Sequence, residues 1–154
     1  MIEVETRIEL PAGPFLAAPE SVFRKVMETA AVLAETAAKK LQSGPVLNVV
    51  SGFLSSRTNA RVEQTPEGYL IRLGNPQRYS RILELGGHTG PHIIRPKKPG
   101  GVLVYERGGE TVFAKLVHHP GSTFPPRPTL RPPLEEAART LPDRMDKAVR
   151  QATT

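Results

Sequence analysis

Residues 102–118 read VLVYERGGETVFAKLVH. Two apolar, β-branched runs, Val102 to Glu106 and Thr111 to His118, flank Arg107-Gly108-Gly109-Glu110, so the stretch reads as two strands and a hairpin turn. Alternation puts Val102, Val104, Val112, Ala114 and Leu116 on one set of faces and Leu103, Tyr105, Phe113 and Val117 on the other. Both faces are then partly apolar. A lone two-stranded ribbon is marginal in water, and one with two semi-apolar faces invites aggregation. Two outcomes are open. The ribbon docks on a neighbouring copy, repeated around a ring, or it folds back into a sheet of its own chain.

The flanks make this stretch the centre of an extended, breaker-rich arm over residues 87–133. Pro91 to Pro96 is an extended apolar-basic segment, and residues 120–133 contain six prolines, each fixing φ and turning the preceding residue away from helix. The whole chain has 16 prolines and 13 glycines, a share that implies disorder or extended segments held from outside. The net charge of +6 is concentrated here as well. Residues 86–131 hold seven cations against only Glu106 and Glu110, and all four histidines. Such a field favours an acidic protein surface or nucleic acid.

Upstream, Ile2 to Leu10 alternates as a half-buried strand. Pro19 opens a long helix with Phe23, Val26, Ala30, Leu33, Ala37 and Leu41 as its inward stripe, stopped at Ser43-Gly44-Pro45. Val46 to Ser56 is either a short helix or an irregular link. Asn59 to Gln64 and Tyr69 to Gly74 are strands joined at Pro66-Glu67-Gly68, with Arg72 alternating against Ile71 and Leu73. Pro76 to Leu85 is a short helix with Tyr79, Ile82, Leu83 and Leu85 inward. Leu134, Ala138, Leu141, Met145 and Val149 form a last helical stripe, which Pro142 should kink or split. The expected class is α+β, a single domain over 1–154. A small mixed or antiparallel sheet packs on a long N-terminal helix, joined by an extended β-hairpin arm and a C-terminal helix.

Several chemistries lack their residues. There is no cysteine, hence no disulfide or thiolate site. No apolar run approaches the roughly 18 residues a membrane span needs. Glu3, Glu5 and Glu9 stand where a signal sequence needs an apolar core, so a chain without a cleavable leader is expected. The glycine pairs match neither GxxxxGK[ST] nor GxSxG. His88 and His92 have an i, i+4 spacing, but Gly90-Pro91 between them forbids the helix that would converge them on zinc, and His118 and His119 read as loop or strand residues. Glu84, Glu106 and Glu110 lie in different elements and form no acid/base pair. No enzyme activity, cofactor or metal is expected. A basic DNA-binding accessory role is the alternative, although Tyr105, Phe113 and Phe124 are too scattered for a single-strand stacking platform.

Taken in order, the motifs from Tyr79 onward resemble a known family. The order is Tyr79-Ser80-Arg81-Ile82-Leu83-Glu84-Leu85-Gly86, Pro91-His92-Ile93-Ile94-Arg95-Pro96, the strand Val102 to Tyr105, His119-Pro120-Gly121, and Pro126-Arg127-Pro128-Thr129-Leu130-Arg131-Pro132 leading into Leu134-Glu135-Glu136-Ala137. It resembles the head–tail joining, or tail-completion, proteins of long-tailed bacteriophages and gene-transfer particles. Ser80, Leu85, Thr129 and Pro133 depart from that family's usual alanine, phenylalanine, phenylalanine and alanine. The resemblance implies a structural subunit of the virion neck and no catalysis. Its partners would be copies of itself in a ring, expected as a hexamer, and the stopper or adaptor, tail terminator and tail tube, with non-specific contact to passing DNA and none to a membrane. Glu84 and the Arg127–Arg131 segment would serve the fold or subunit contact. The contact residues expected are His92, Ile93, Arg95, Lys97, Lys98, Val104, Tyr105, Phe113, Lys115, His119, Arg127, Leu130 and Arg131.

Overall fold

The computed structural model describes residues 2–7, 19–44, 46–47, 52–66 and 68–152. The elements are β1 (Ile2–Arg7), α1 (Glu20–Gln42), α2 (Phe53–Arg57), β2 (Asn59–Thr65), β3 (Gly68–Asn75), α3 (Ser80–Leu85), β4 (Gly87–Thr89), β5 (His92–Ile94), β6 (Leu103–Arg107), β7 (Glu110–Ala114), β8 (Val117–His119), β9 (Ser122–Phe124) and α4 (Arg131–Ala152). The class is α+β, as the sequence implies. The chain forms two compact units: Met1–Leu85 with Pro126–Thr154, and Gly86–Pro125. The expected arm of 87–133 is thus too long at its C-terminal end. Residues 126–133 belong to the first unit, and Arg131, Pro132 and Pro133 are already helical. Proline is tolerated there because first-turn amides have no partner within the helix.

The first unit has an antiparallel sheet in the order β1-β3-β2. β1 pairs with β3 from Ile2↔Asn75 to Arg7↔Leu70, and β2 pairs with β3 from Asn59↔Gly74 to Thr65↔Gly68. The Ile8–Leu10 end of the expected first strand, residues 48–51 of the ambiguous Val46–Ser56 stretch and Glu67 of the expected turn lie outside the described residues. On β3 the alternation holds, with Ile71 and Leu73 buried and Arg72 half-buried.

The core joins Met27, Ala30, Ala31, Ala34 and Ala38 of α1 to Ile71 and Leu73, and to Leu130, Leu134, Ala137 and Leu141. The buried stripe of α1 is therefore rotated from the expected one. Ala30 is buried as expected, but Leu33 and Ala37 are exposed, and Ala31, Ala34 and Ala38 are buried in their place. Small side chains on α1 allow Leu134 and Leu141 of α4 a close approach, since the side chains at a contact set the interaxial distance. On α4, Leu134, Leu141 and Met145 are buried as expected. The helix is not split at Pro142 and runs on to Ala152. An internal proline costs about 3 kcal/mol. Leu141 and Met145, fully buried on either side, contribute more than that together, at about 1.5–3 kcal/mol each.

Glu35 ties α1 to the sheet. Its carboxylate accepts the Ala60 amide of β2 at 2.7 Å and pairs with Lys39 Nζ at 2.6 Å. Burial pushes its carboxyl up. The hydrogen bonds from Lys39 and Ala60 and the Lys39 charge outweigh that and hold it below the ordinary 4.5. A depressed folded-state pKa contributes stability that is complete above the unfolded value and is lost as pH falls through the folded one. Denaturant unfolding from neutral pH to about pH 3 should therefore show Glu35→Gln less stable than wild type near neutrality, with the gap closing below the ordinary carboxylate range. A gap independent of pH would contradict this linkage.

Candidate partner-binding ribbon

The second unit, Gly86–Pro125, is one antiparallel ribbon in three ladders, each two-stranded: β4 with β9, β5 with β8, and β6 with β7. Its strands do not extend the β1-β3-β2 sheet, so the fold-back alternative is not the one adopted. Gly87↔Phe124 through Thr89↔Ser122, and His92↔His119 through Ile94↔Val117, share one continuous register. Between them Gly90 stands opposite Gly121 and Pro91 opposite Pro120, so neither strand has an N–H to offer at the proline level. Gly121 has φ +95°, and a Cβ there would clash with the Thr89 carbonyl oxygen. The close crossing of the two backbones requires glycine at that point.

Beyond Ile94 the register shifts by six residues. The ascending strand spends residues 95–102 between Ile94 and Leu103, while the descending strand spends only Lys115 and Leu116 between Ala114 and Val117. The surplus closes in a turn, Gly101 N–H donating to Lys98 O at 3.1 Å, with Pro99 and Gly100 (φ 73°) at its centre. That is type II chemistry. Arg95, Lys97 and Lys98 all sit exposed on this excursion, with Lys115 exposed on the other strand. At the tip, Gly108 and Gly109 (φ 63° and 85°) make the hairpin turn that matches strand twist.

The register corrects the expected faces by one residue. Val104 lies opposite Phe113, and Glu106 opposite Thr111, so these four share a face. Leu103, Tyr105, Val112 and Ala114 share the other. The first face is the open one, with Val104 58% and Phe113 67% exposed. Further down, Ile93 is exposed opposite His118, and His92 stacks on His119 with ring centroids 4.9 Å apart. His92 Nδ1–H donates to Gly90 O, and His119 Nδ1 accepts the Gly121 amide, both at 3.0 Å. A His119 ring held as an acceptor at Nδ1 carries its proton on Nε2 and so offers no free lone pair to a metal there. Among the described residues no group of three His, Asp, Glu or Cys side chains converges.

Three expected contact residues lie in the first unit and not in the ribbon. Leu130 is 1% exposed and belongs to the core of the first unit, so it is no surface contact. Arg131, though exposed, begins α4, and its amide is bound to Glu84. Arg127 is exposed, but its amide donates to Leu83 O at 2.6 Å.

Glu84 is the residue whose role the sequence leaves open and the geometry defines. The expected inward side chains of α3 included Tyr79 and Leu85, yet both are exposed, and Ser80 and Glu84 are buried instead. The Glu84 carboxylate accepts the amides of Thr129 (2.8 Å), Leu130 (3.1 Å) and Arg131 (2.9 Å). These are the free donors at the start of α4, where Pro132 and Pro133 have none and Leu134 N–H reaches Leu130 O. A carboxylate there also complements the helix dipole. Thr129 Oγ1 in turn accepts Gln42 Nε2 (3.2 Å), Gln42 Oε1 accepts the Thr58 hydroxyl (2.8 Å), and Thr58 Oγ1 accepts Asn75 Nδ2 (2.8 Å). All these side chains are buried, and no buried side-chain polar atom among the described residues lacks a partner. The two points where the ribbon leaves and re-enters the first unit, Leu85 and Pro126, are thus flanked by a continuous clamp from Glu84 through Thr129 into α1 and β3. Thr129, where the resemblance expects phenylalanine, is needed for its hydroxyl.

No helix among the described residues is long and apolar enough to cross a membrane. No family model, curated protein or solved structure matches the chain.

Proposed function

We propose that the chain is a structural, ring-forming subunit of a bacteriophage head–tail junction, acting in tail completion or head–tail joining. The observation that carries this reading is the two-stranded ribbon of residues 86–125, whose Val104 and Phe113 stand open to solvent on one face. A ribbon of this length is marginal alone, and docking on a neighbour buries the apolar face that would otherwise invite aggregation. The order of motifs from Tyr79 to Ala137 supports the same reading, with Glu84 and residues 127–131 as fold elements. On this reading the protein catalyses nothing, and it works in the virion neck beside the other neck and tail proteins. Its function lies in surfaces held in register.

The test is complementation of a null mutant in the particle that encodes the chain. Val104→Asp with Phe113→Asp should yield filled heads and finished tails that stay separate, by electron microscopy. Normal numbers of joined particles would overturn the reading.

A second reading rests on one observation, the four exposed cations Arg95, Lys97, Lys98 and Lys115 around the register shift. Duplex binding through them would fall steeply with salt, with a log–log slope of about −0.9 for each phosphate neutralised. Purified chain that fails to bind duplex at low salt rules it out.

A further inference from the structure

An open groove of about 500 Å³ lies between the N-terminal half of α1 and the C-terminal half of α4. Half-buried Val22, Val26 and Ala148 form its apolar floor, beside Thr29 and Gln151, and the exposed Lys25, Arg144 and Lys147 form its rim. Among the described residues none of these three cations forms an ion pair, and no acidic side chain lines the groove. A cationic rim over an apolar floor suits a guest that is apolar in the middle and acidic at its side.

The ribbon tip has that composition. Val104 and Phe113 face each other across the ladder, and Glu106 is the next outward residue on their face. Glu106 and Glu110 are the only acids in residues 86–131, and both sit at the tip; Arg107 stands opposite Glu110 on the other face, which leaves Glu106 as the tip charge on the face of Val104 and Phe113. We propose that the α1–α4 groove receives the ribbon tip of a second copy of this chain, with Phe113 and Val104 on the floor and Glu106 against Lys25, Arg144 and Lys147. The occupant is a second copy because the chain itself carries both complementary halves. The contact is heterologous, one surface to a different surface, which is the kind that closes into rings. The inference deepens the ring-subunit reading above and names its interface.

The chain contains no cysteine, so an engineered pair gives an unambiguous report. A full-length Phe113→Cys chain is mixed with a longer, tagged Ala148→Cys chain under mild oxidation. The expected product is a cross-linked heterodimer of the two masses. In parallel, Glu106→Lys should weaken self-association in sedimentation about tenfold or more. Combining it with Arg144→Glu and Lys147→Glu should restore association, since charge reversal on both sides recovers complementarity. An oligomer that forms without the cross-link overturns the groove assignment and leaves the ring reading standing on another surface. A cross-link within single chains carrying both cysteines, and none between chains, overturns it in favour of self-docking. A wild-type chain that stays monomeric at every concentration also overturns it, and the particle complementation then judges the neck reading separately.

Discussion

Glu84→Ala should lower the melting temperature of the purified chain by on the order of 10 °C. Three amides, those of Thr129, Leu130 and Arg131, lose the acceptor they have among the described residues, in a site where Glu84 is 5% exposed. An orphaned buried donor costs about 1–3 kcal/mol, so three of them come to roughly 3 kcal/mol or more. The conservative change is informative. Glu84→Gln keeps the shape and one acceptor oxygen but turns an NH2 group toward amides that need acceptors. It should therefore fall near alanine rather than near wild type. Thermal denaturation of the three proteins decides it. A glutamine variant within about 0.5 kcal/mol of wild type would mean that shape, not acceptor capacity, is what the site uses.

Gly121→Ala should unpair the ribbon while leaving the first unit folded. The added Cβ clashes with the Thr89 carbonyl oxygen, a backbone atom that cannot swing aside, and the residue must also hold φ +95°. Strain at such a position costs about 1–3 kcal/mol before the clash is counted. Amide exchange in residues 87–94 and 117–124 should accelerate roughly 30-fold or more, with α1 and α4 unchanged. Gly90→Ala is the control, because it faces Gly121 across the ladder and a Cβ there meets nothing within 4 Å. Equal effects from the two substitutions would show that loss of glycine freedom, and not the close crossing, limits the ribbon.

Much of the architecture was legible in periodicity. The long helix, the β2–β3 hairpin with Ile71 and Leu73 inward, and the Gly108-Gly109 turn follow from patterns of 3.6 and 2 residues. The face of α1 was read only in part, because reading by size favours Leu33, whereas a helix packed closely on another buries alanines such as Ala31, Ala34 and Ala38. For Glu84 the resemblance implied a fold or subunit-contact role without saying which, and the residue pattern showed no more than a glutamate shortly before Gly86. The amides that donate to it lie 45 to 47 residues away, and no local pattern announces a carboxylate that caps a helix from another element. One signal was present and unused. Thr89-Gly90-Pro91-His92 is mirrored by His119-Pro120-Gly121-Ser122, and those residues face each other pair by pair. A reversed repeat around a turn is what a single-register ribbon writes into a sequence. It marks the ladders from Gly87 to Ile94 against Val117 to Phe124, although not the six-residue shift that separates them from the Leu103–Ala114 hairpin.

The facing prolines have a bearing on solubility. A two-stranded ribbon has two edges, and every free N–H along them can recruit another chain's backbone into a growing fibril. Residues 86–125 carry Pro91, Pro96, Pro99, Pro120 and Pro125, with Lys97, Lys98 and Lys115 between them. Each proline removes a donor, and each lysine would have to be stacked against its own copy. Crowded copies are thereby steered away from backbone-to-backbone polymerisation and left to meet through side chains, whose fit can end at a fixed number of subunits.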